Sequence, residues 1–406
     1  MEKLKFVIAP DSFKESVSGF EASHAMKSGI KSIFKDAEFD IIPMADGGEG
    51  TSEVIVNAQK GEFRNVIVTG PLGEKTEARY GWLVEEKKAV IEVAEACGLY
   101  LVEHSKRNPM FTTTFGVGEM ILDALNKGAD HLIIGLGGSS TNDGGLGMLQ
   151  ALGVIALDTE GNELGLGGKE LIKIHKLDIS KMDTRLKKIS IEVACDVQNP
   201  FVGENGATKI FGPQKGAKGE IADELELGMI NFAKALVETF DFDISNIPKT
   251  GAAGGLGGAF LLLNGSLLRG VDLVIKHTKF EERIKDADFI ITGEGSIDGQ
   301  TKYGKTIAGV AHIAKKYNIP TIVLAGKVGD DIEELYSMGV TSVFGIVDKP
   351  KNLEEALKDG YNSIKKASEN IARLIKVLYF NEERVNYSRT NSCCGEKFEW
   401  NRMGKS

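Results

Sequence analysis

With 406 residues the chain can bury more than one hydrophobic core, and at about 100–200 residues per domain two domains are expected. Its 58 acidic against 49 basic residues leave a formal net charge of −9, which excludes a broad electrostatic surface for nucleic acid or anionic lipid but leaves local lysines for small anions. The opening MEKLKFVIAPDSF has no long apolar region or small-residue cleavage site, and no later run approaches the roughly 18 uninterrupted apolar residues of a membrane span, so a soluble cytoplasmic protein with no membrane partner is expected.

The chain carries 49 glycines, well above the usual ~7%, without the every-third-residue period of collagen, so the excess belongs in turns and close backbone approaches. Cys97, Cys195, Cys393 and Cys394 have neither zinc-finger spacing nor the pattern of a secreted disulfide framework. The first two lie in apolar surroundings and read as small core residues.

Residues 4–9 (LKFVIA) predict a strand that stops at Pro10, followed by the loop Asp11, Ser12, Phe13, Lys14 and a helix from about Ser18 to Phe34. This is the first half of a parallel α/β unit, and it puts Asp11, Ser12 and Lys14 outside the carboxyl end of a strand, where open sheets bind ligands. Phe39–Pro43 repeats the pattern before MADGGEGT, whose Asp46 and Glu49 flank two glycines and can bring carboxylates and backbone N–H groups to one small ligand. A tight turn capped by Thr51 is the simpler alternative.

The style changes near Gly61, where short period-two runs separated by Pro-Leu-Gly and Glu-Glu-Lys-Lys predict antiparallel hairpins and the start of an inserted mixed α/β domain. A helix at 116–126 and a strand at 131–136 lead into GGSSTNDGG. There Ser139, Ser140, Thr141, Asn142 and Asp143, bracketed by glycines, can ring a phosphate or a polyol, although turns share this composition. The strand at 189–197 delivers Asp196 to its exit beside Asn199, open to roles as general base, cation ligand or loop carboxylate. Lys209, Gln214 and Lys215 follow as candidate anion contacts.

After TGAAGGLGG and the apolar run that follows it, the pattern of the first residues returns from Asp272. A strand at 289–292 runs into the glycine-rich acidic turn Gly293–Asp298 and then a helix from about Ile307, with Glu294, Asp298, Lys302 and Lys305 at the seam. Carboxylates for a hard cation, lysines and a helix N-terminus together suit polyphosphate chemistry. The segment GQTKYGKT also satisfies the written P-loop pattern, but a true P-loop follows its strand directly. Strands at 320–325 and 340–347 and a closing helix at 353–379 complete the chain. The expected architecture is α/β, with an open parallel-sheet domain from residues 1–65 and 270–378, an inserted mixed domain over 66–269 and an atypical polar tail over 380–406.

Seven blocks in one order, APDSFKES, PMADGGEGT, GLGGSSTNDGGLG, ACDVQNP, GENGATKIFGPQKGA, GAAGGLGG and ITGEGSIDGQTKYGKT, resemble the bacterial glycerate kinases that make 2-phosphoglycerate. The resemblance covers residues 3–378. It implies a two-domain enzyme with a Rossmann-like first domain built from both chain ends, a cleft between the domains, and phosphorylation of D-glycerate by ATP with Mg²⁺. The positions it carries over are Ser12, Lys14, Asp46, Ser139, Asn142, Asp143, Asp196, Glu294, Asp298 and Lys305, with Ser140 inside the same loop block.

Phosphoryl transfer demands positioning and charge neutralisation more than covalent help. The expected division places Glu294 and Asp298 around Mg²⁺, Lys14 or Lys305 on transferring oxygens, and the 137–145 loop around nucleotide phosphates. Asp196 is the general base, with Asp46 second. A nucleotide- or polyol-sensing protein without turnover is the alternative in another class. An NAD-dependent dehydrogenase is a further one, disfavoured because neither glycine pair completes the dinucleotide fingerprint.

Overall fold

The structure is a computed structural model that describes residues 3–299, 301 and 306–390, with backbone alone beyond 378. Lys302, Lys305 and the segment 391–406 lie outside the described residues. Two sheets carry the fold. The first has five parallel strands and draws on both ends of the chain: Lys5–Ile8 (β1) and Glu38–Ile41 (β2) join Phe289–Ile297 (β11), Thr321–Val328 (β12) and Val340–Gly345 (β13) in the order β13-β12-β11-β1-β2. Phe6 sits opposite Phe289 and Ile8 opposite Ile291, so the first strand is held by one nearly 300 residues away in sequence.

Residue alternation along β1 explains the layers. Phe6 and Ile8 face the helices Gly19–Ile33 and Gly360–Thr390, packing with Met26, Ile30, Ile364 and Ile371, while Val7 and Ala9 face Val271, Val274 and Val310 on the other side. The Gly19–Ile33 helix starts where expected because Ser18 and Glu21 form a reciprocal capping box.

The second sheet lies in the inserted stretch. Glu62–Thr69 (β3), Lys75–Leu83 (β4), Lys88–Glu92 (β5), His131–Gly135 (β6), Ser190–Ala194 (β9) and Ser266–Leu268 (β10) pair in the order β10-β9-β6-β5-β4-β3, with Ile155–Leu157 (β7) and Lys176–Asp178 (β8) forming a separate ribbon. The hairpin strands β3, β4 and β5 are antiparallel and the rest of the sheet is parallel, which makes it mixed as the sequence predicts. The boundary expected at 65/66 falls inside β3, because the hairpin already starts at Glu62.

Between the sheets run two helices, Thr51–Ala58 and Gly270–His277, where the chain enters and leaves the inserted region. Each buries side chains toward both sheets. Val54, Val271 and Val274 join the core of the first sheet, whereas Ile55, Val56 and Leu273 join Val90, Ile133 and Ala194 of the second.

Two local expectations change. The stretch Gly293–Ile297 is strand rather than turn: Glu294 pairs with Ala325 and Ser296 with Lys327, so ladder bonding to β12 outweighs the weak β preference of glycine. The closing helix divides into Leu353–Lys358 and Gly360–Thr390 and runs past residue 380, where the tail was expected to begin. No proline or glycine occurs between Tyr361 and Cys394 to end it there. Cys97 and Cys195 are buried and free. Among the described residues no helix is long and apolar enough to cross a membrane.

The contact between the Gly19–Ile33 and Gly360–Thr390 helices is closest at Gly29, where a Cβ would overlap the Lys365 carbonyl oxygen and stand 2.8 Å from Ser368 Cβ. Gly29→Val should therefore cost about 1–3 kcal/mol by overpacking, read as a lower urea midpoint with unchanged slope. An unchanged midpoint would mean that the helices separate without penalty.

Candidate active site

The carboxyl ends of β1, β2 and β11 in the first sheet and of β5, β6 and β9 in the second converge on the loop after β2. A Cβ on Gly137, just beyond β6, would lie 2.8 Å from Gly48 Cα, and one on Gly270 would overlap the Asp46 carbonyl oxygen. Only glycine permits these approaches, and they bring the loops of both sheets onto Asp46.

Around Asp46 the structure assembles Lys14, Asp11 and Asp196. Lys14 Nζ lies 3.7 Å from Asp46 Oδ2, with the lysine largely exposed. Asp11 is buried beside them, accepting from Thr306 Oγ1 at 2.6 Å and from the Ser12 N–H at 2.6 Å. Burial, aided by the charge of Asp46, pushes the Asp11 carboxyl above its ordinary range against the hydrogen bond from Thr306.

Asp196 reaches the same place from the second sheet. Its Oδ1 accepts from the Gly270 N–H at 3.0 Å, at the start of the Gly270–His277 helix. Crowding away from bulk water raises its carboxyl to about 6; the Gly270 hydrogen bond opposes the rise, and the Asp46 charge adds to it. A carboxylate with that pKa can accept a proton near neutral pH.

Glu294 and Asp298 stand at the end of β11, joined through Thr301: Thr301 Oγ1 donates to Glu294 Oε1 at 3.3 Å and accepts from the Asp298 N–H at 3.1 Å. A Cβ on Gly295 would lie 3.4 Å from the Lys14 nitrogen, which places this acidic pair next to the Ser12–Lys14 loop. Both residues offer the hard oxygen donors that Mg²⁺ takes, so the donor set fits that ion.

The 137–145 loop divides into two parts. Ser139 Oγ accepts from Lys215 Nζ at 2.9 Å, and the same ammonium donates to the Thr141 carbonyl at 2.7 Å. Lys215 is fully enclosed, and burial brings its pKa down to about 8. Ser140 is tied to the Cys97 carbonyl through both its hydroxyl and its N–H. Deeper in the loop, Asn142 Nδ2 donates to Thr208 Oγ1 at 3.1 Å, and its Oδ1 is buried without a protein partner.

Asp143 turns inward. It is completely buried and accepts from Thr114 N–H and Oγ1 (both 2.8 Å), Gly145 N–H (3.1 Å) and Gly147 N–H (3.3 Å), joining the starts of the helices Phe115–Asn126 and Leu146–Ala151. Its carboxylate faces protein donors. Of the other candidate anion contacts, Lys209 pairs with Asp223 at 2.8 Å on the surface and Gln214 is exposed. Lys305 lies outside the described residues.

Sequence reasoning missed Glu92 and Thr114. Glu92 ends β5 and its Oε1 accepts from the N–H and hydroxyl of Ser52 at 2.8 and 2.7 Å, at the start of the Thr51–Ala58 helix. The strand-exit criterion that found Asp196 applies equally to Glu92. Thr114 had no local signal, since its partner is 29 residues away.

The model of the glycerate kinase family matches residues 6–376. The chain belongs to the glycerate kinase family. It is 47% identical over 367 residues to a glycerate kinase of Halalkalibacterium halodurans, covering 90% of this chain and 97% of that one. It is 46% identical over 375 residues to a glycerate 2-kinase of Escherichia coli, covering 92% and 98%. A crystal structure described as glycerate kinase 2 of Salmonella typhimurium superposes with a TM-score of 0.83 at 43% identity, covering 93% of this chain and 99% of that one.

The contrast between Asp143 and Asp46 is testable by urea unfolding. Asp143→Ala strands several buried donors and should cost about 2–5 kcal/mol. Asp46→Asn, on a partly exposed loop, should move stability by less than ~1 kcal/mol. Equal midpoints for Asp143→Ala and the parent protein would overturn the structural assignment of Asp143.

Proposed function

We propose that the chain transfers the γ-phosphoryl group of ATP to D-glycerate and releases 2-phosphoglycerate. The observation that carries this reading is the meeting of Lys14, Asp46 and Asp196 from two facing sets of strand ends, with Glu294 and Asp298 alongside, in a chain of the glycerate kinase family. The name of the Escherichia coli relative supports attack by the 2-hydroxyl. The two sheets are taken as the cores of two domains, the first Rossmann-like, and the chain passes between them near Gly61 and Gly270.

Glu294 and Asp298 would hold Mg²⁺ together with phosphate oxygens, and the bound ion would neutralise charge on the β- and γ-phosphates. Lys14, exposed and held only loosely by Asp46, can turn from that carboxylate to a phosphate oxygen, with Lys305 assigned the same task. Ser12, Ser139 and the backbone of 137–138 would orient the polar groups of nucleotide and substrate, and Lys215 would fix Ser139 from beneath. Asn142 and Asp143 hold that loop in shape. Asp196 would take the proton of the attacking hydroxyl, since Gly270 anchors one of its oxygens and its pKa sits close to working pH.

Incubation with ATP, Mg²⁺ and either D- or L-glycerate, with the product identified by NMR, tests the reaction. Formation of 2-phosphoglycerate from the D enantiomer is expected; binding of both ligands without turnover would instead favour a sensor.

The base assignment predicts a pH profile and a variant. The Asp196 carboxyl titrates at about 6, above the ordinary carboxylate value, so kcat/KM should fall as pH drops through about 6 and the base becomes protonated. Asp196→Asn should lower kcat by about 10²–10⁴ with ATP and glycerate affinity nearly unchanged. It should not lower thermal stability, because a raised carboxyl pKa stabilises the fold only at low pH and that contribution is gone once pH has risen through about 6. Near-normal kcat in this variant would transfer the role to Asp46. Amide substitution of Glu294 or Asp298 should instead raise the Mg²⁺ requirement.

A further inference from the structure

Far from the carboxyl ends of the strands, three metal-capable side chains from three elements meet. His131 opens β6, Glu192 lies within β9, and His277 ends the Gly270–His277 helix. Glu192 Oε2 is 3.0 Å from His131 Nε2 and 2.6 Å from His277 Nε2. All three ligand atoms lie within 4.8 Å of one another. His277 is almost wholly buried, and the imidazoles stand nearly perpendicular, at 85°. Kinase chemistry uses none of these groups.

We propose that His131, Glu192 and His277 form a site for a divalent transition metal, Zn²⁺ above all, that fastens the Gly270–His277 helix to the second sheet. Two imidazole nitrogens and one carboxylate oxygen make the donor set of a three-ligand zinc centre, with water as the fourth ligand. Mg²⁺ and Ca²⁺ take oxygen donors and are poorly suited. Zinc–ligand bonds of about 2.0–2.2 Å put tetrahedral ligand atoms roughly 3.4 Å apart, so binding asks the two Glu192–imidazole contacts to open by less than ~1 Å. Each histidine would then carry its proton on Nδ1 and present Nε2 to the metal.

The surroundings favour an occupied site. Lys276 holds Glu192 Oε1, the oxygen the metal does not need, and its own side chain is 59% exposed, so its charge is screened. Lys88 is paired with Glu86 at 2.5 Å. Gln59, at the end of the other inter-sheet helix, donates to the His277 carbonyl at 2.9 Å, so the site sits where both helices finish.

Titration of the EDTA-stripped full-length chain with Zn²⁺ and with Co²⁺ decides the matter, carried out in a Cys393→Ser/Cys394→Ser background to remove the vicinal thiols. One equivalent of Zn²⁺ should bind with micromolar or tighter Kd and raise Tm, and Co²⁺ should give the visible bands of a tetrahedral complex. His277→Gln, His131→Gln and Glu192→Gln should each weaken binding by 10-fold or more, with circular dichroism confirming the fold. Because His131 is only at the margin of the core, its variant remains informative if His277→Gln fails to fold. Absence of saturable binding below about 100 μM, or one tight equivalent retained by the folded His131→Gln variant, overturns the site.

Discussion

Everything in the molecule depends on how two short helices are held between two sheets. The helices Thr51–Ala58 and Gly270–His277 are the points at which the chain enters and leaves the inserted region, and each packs apolar residues against both sheets. Each also begins on a carboxylate delivered by the second sheet: Glu92 receives the Ser52 N–H, and Asp196 receives the Gly270 N–H. A negative charge at a helix N-terminus satisfies a free donor and meets the positive end of the dipole. The relative placement of the sheets is therefore fixed at the end where the proposed active site lies.

That arrangement gives Asp196 two tasks that pull on its ionisation in opposite directions. Holding Gly270 favours the charged form, as any hydrogen bond to a carboxylate does, while withdrawal from water and the nearness of Asp46 favour the neutral form. Withdrawal wins, but incompletely, and leaves a carboxyl near 6. A group anchored by one oxygen to a helix that packs on both sheets is positioned by the fold itself. The catalytic geometry proposed for it is thus a consequence of the packing between sheets and needs no separate orienting side chain.

The sequence made the strand-and-loop logic readable where one residue type dominates. Short apolar strands stopped by Pro10 or followed by glycine located Asp11, Asp46 and Asp196 correctly at strand exits, because the alternation and the break are both local. It failed where the partner is distant. Gly293–Ile297 looks like a turn, since nothing within it reports that β12 extends far enough to pair with it. The expected domain boundary at 65/66 falls inside β3, although the change of style is already readable near Gly61, just before the strand starts at Glu62. Lys305, read from its place at the seam between strand and helix and from family resemblance, falls outside the described residues.

The 137–145 loop shows why composition alone could not separate ligand groups from scaffold. Serine, threonine, asparagine and aspartate among glycines serve a bound phosphate and a buried polar network equally well. The division comes from residues far along the chain: Thr114 claims Asp143, Thr208 claims Asn142, and Lys215 claims Ser139. Asp143 has no solvent-facing surface and four donors, so a ligand would have to displace protein hydrogen bonds to reach it. Ser139 differs, because accepting from Lys215 leaves its own hydroxyl proton to offer. Resemblance carried both residues over as one motif, and the hydrogen-bond directions divide that motif into a residue that can face a ligand and one that keeps the loop in shape.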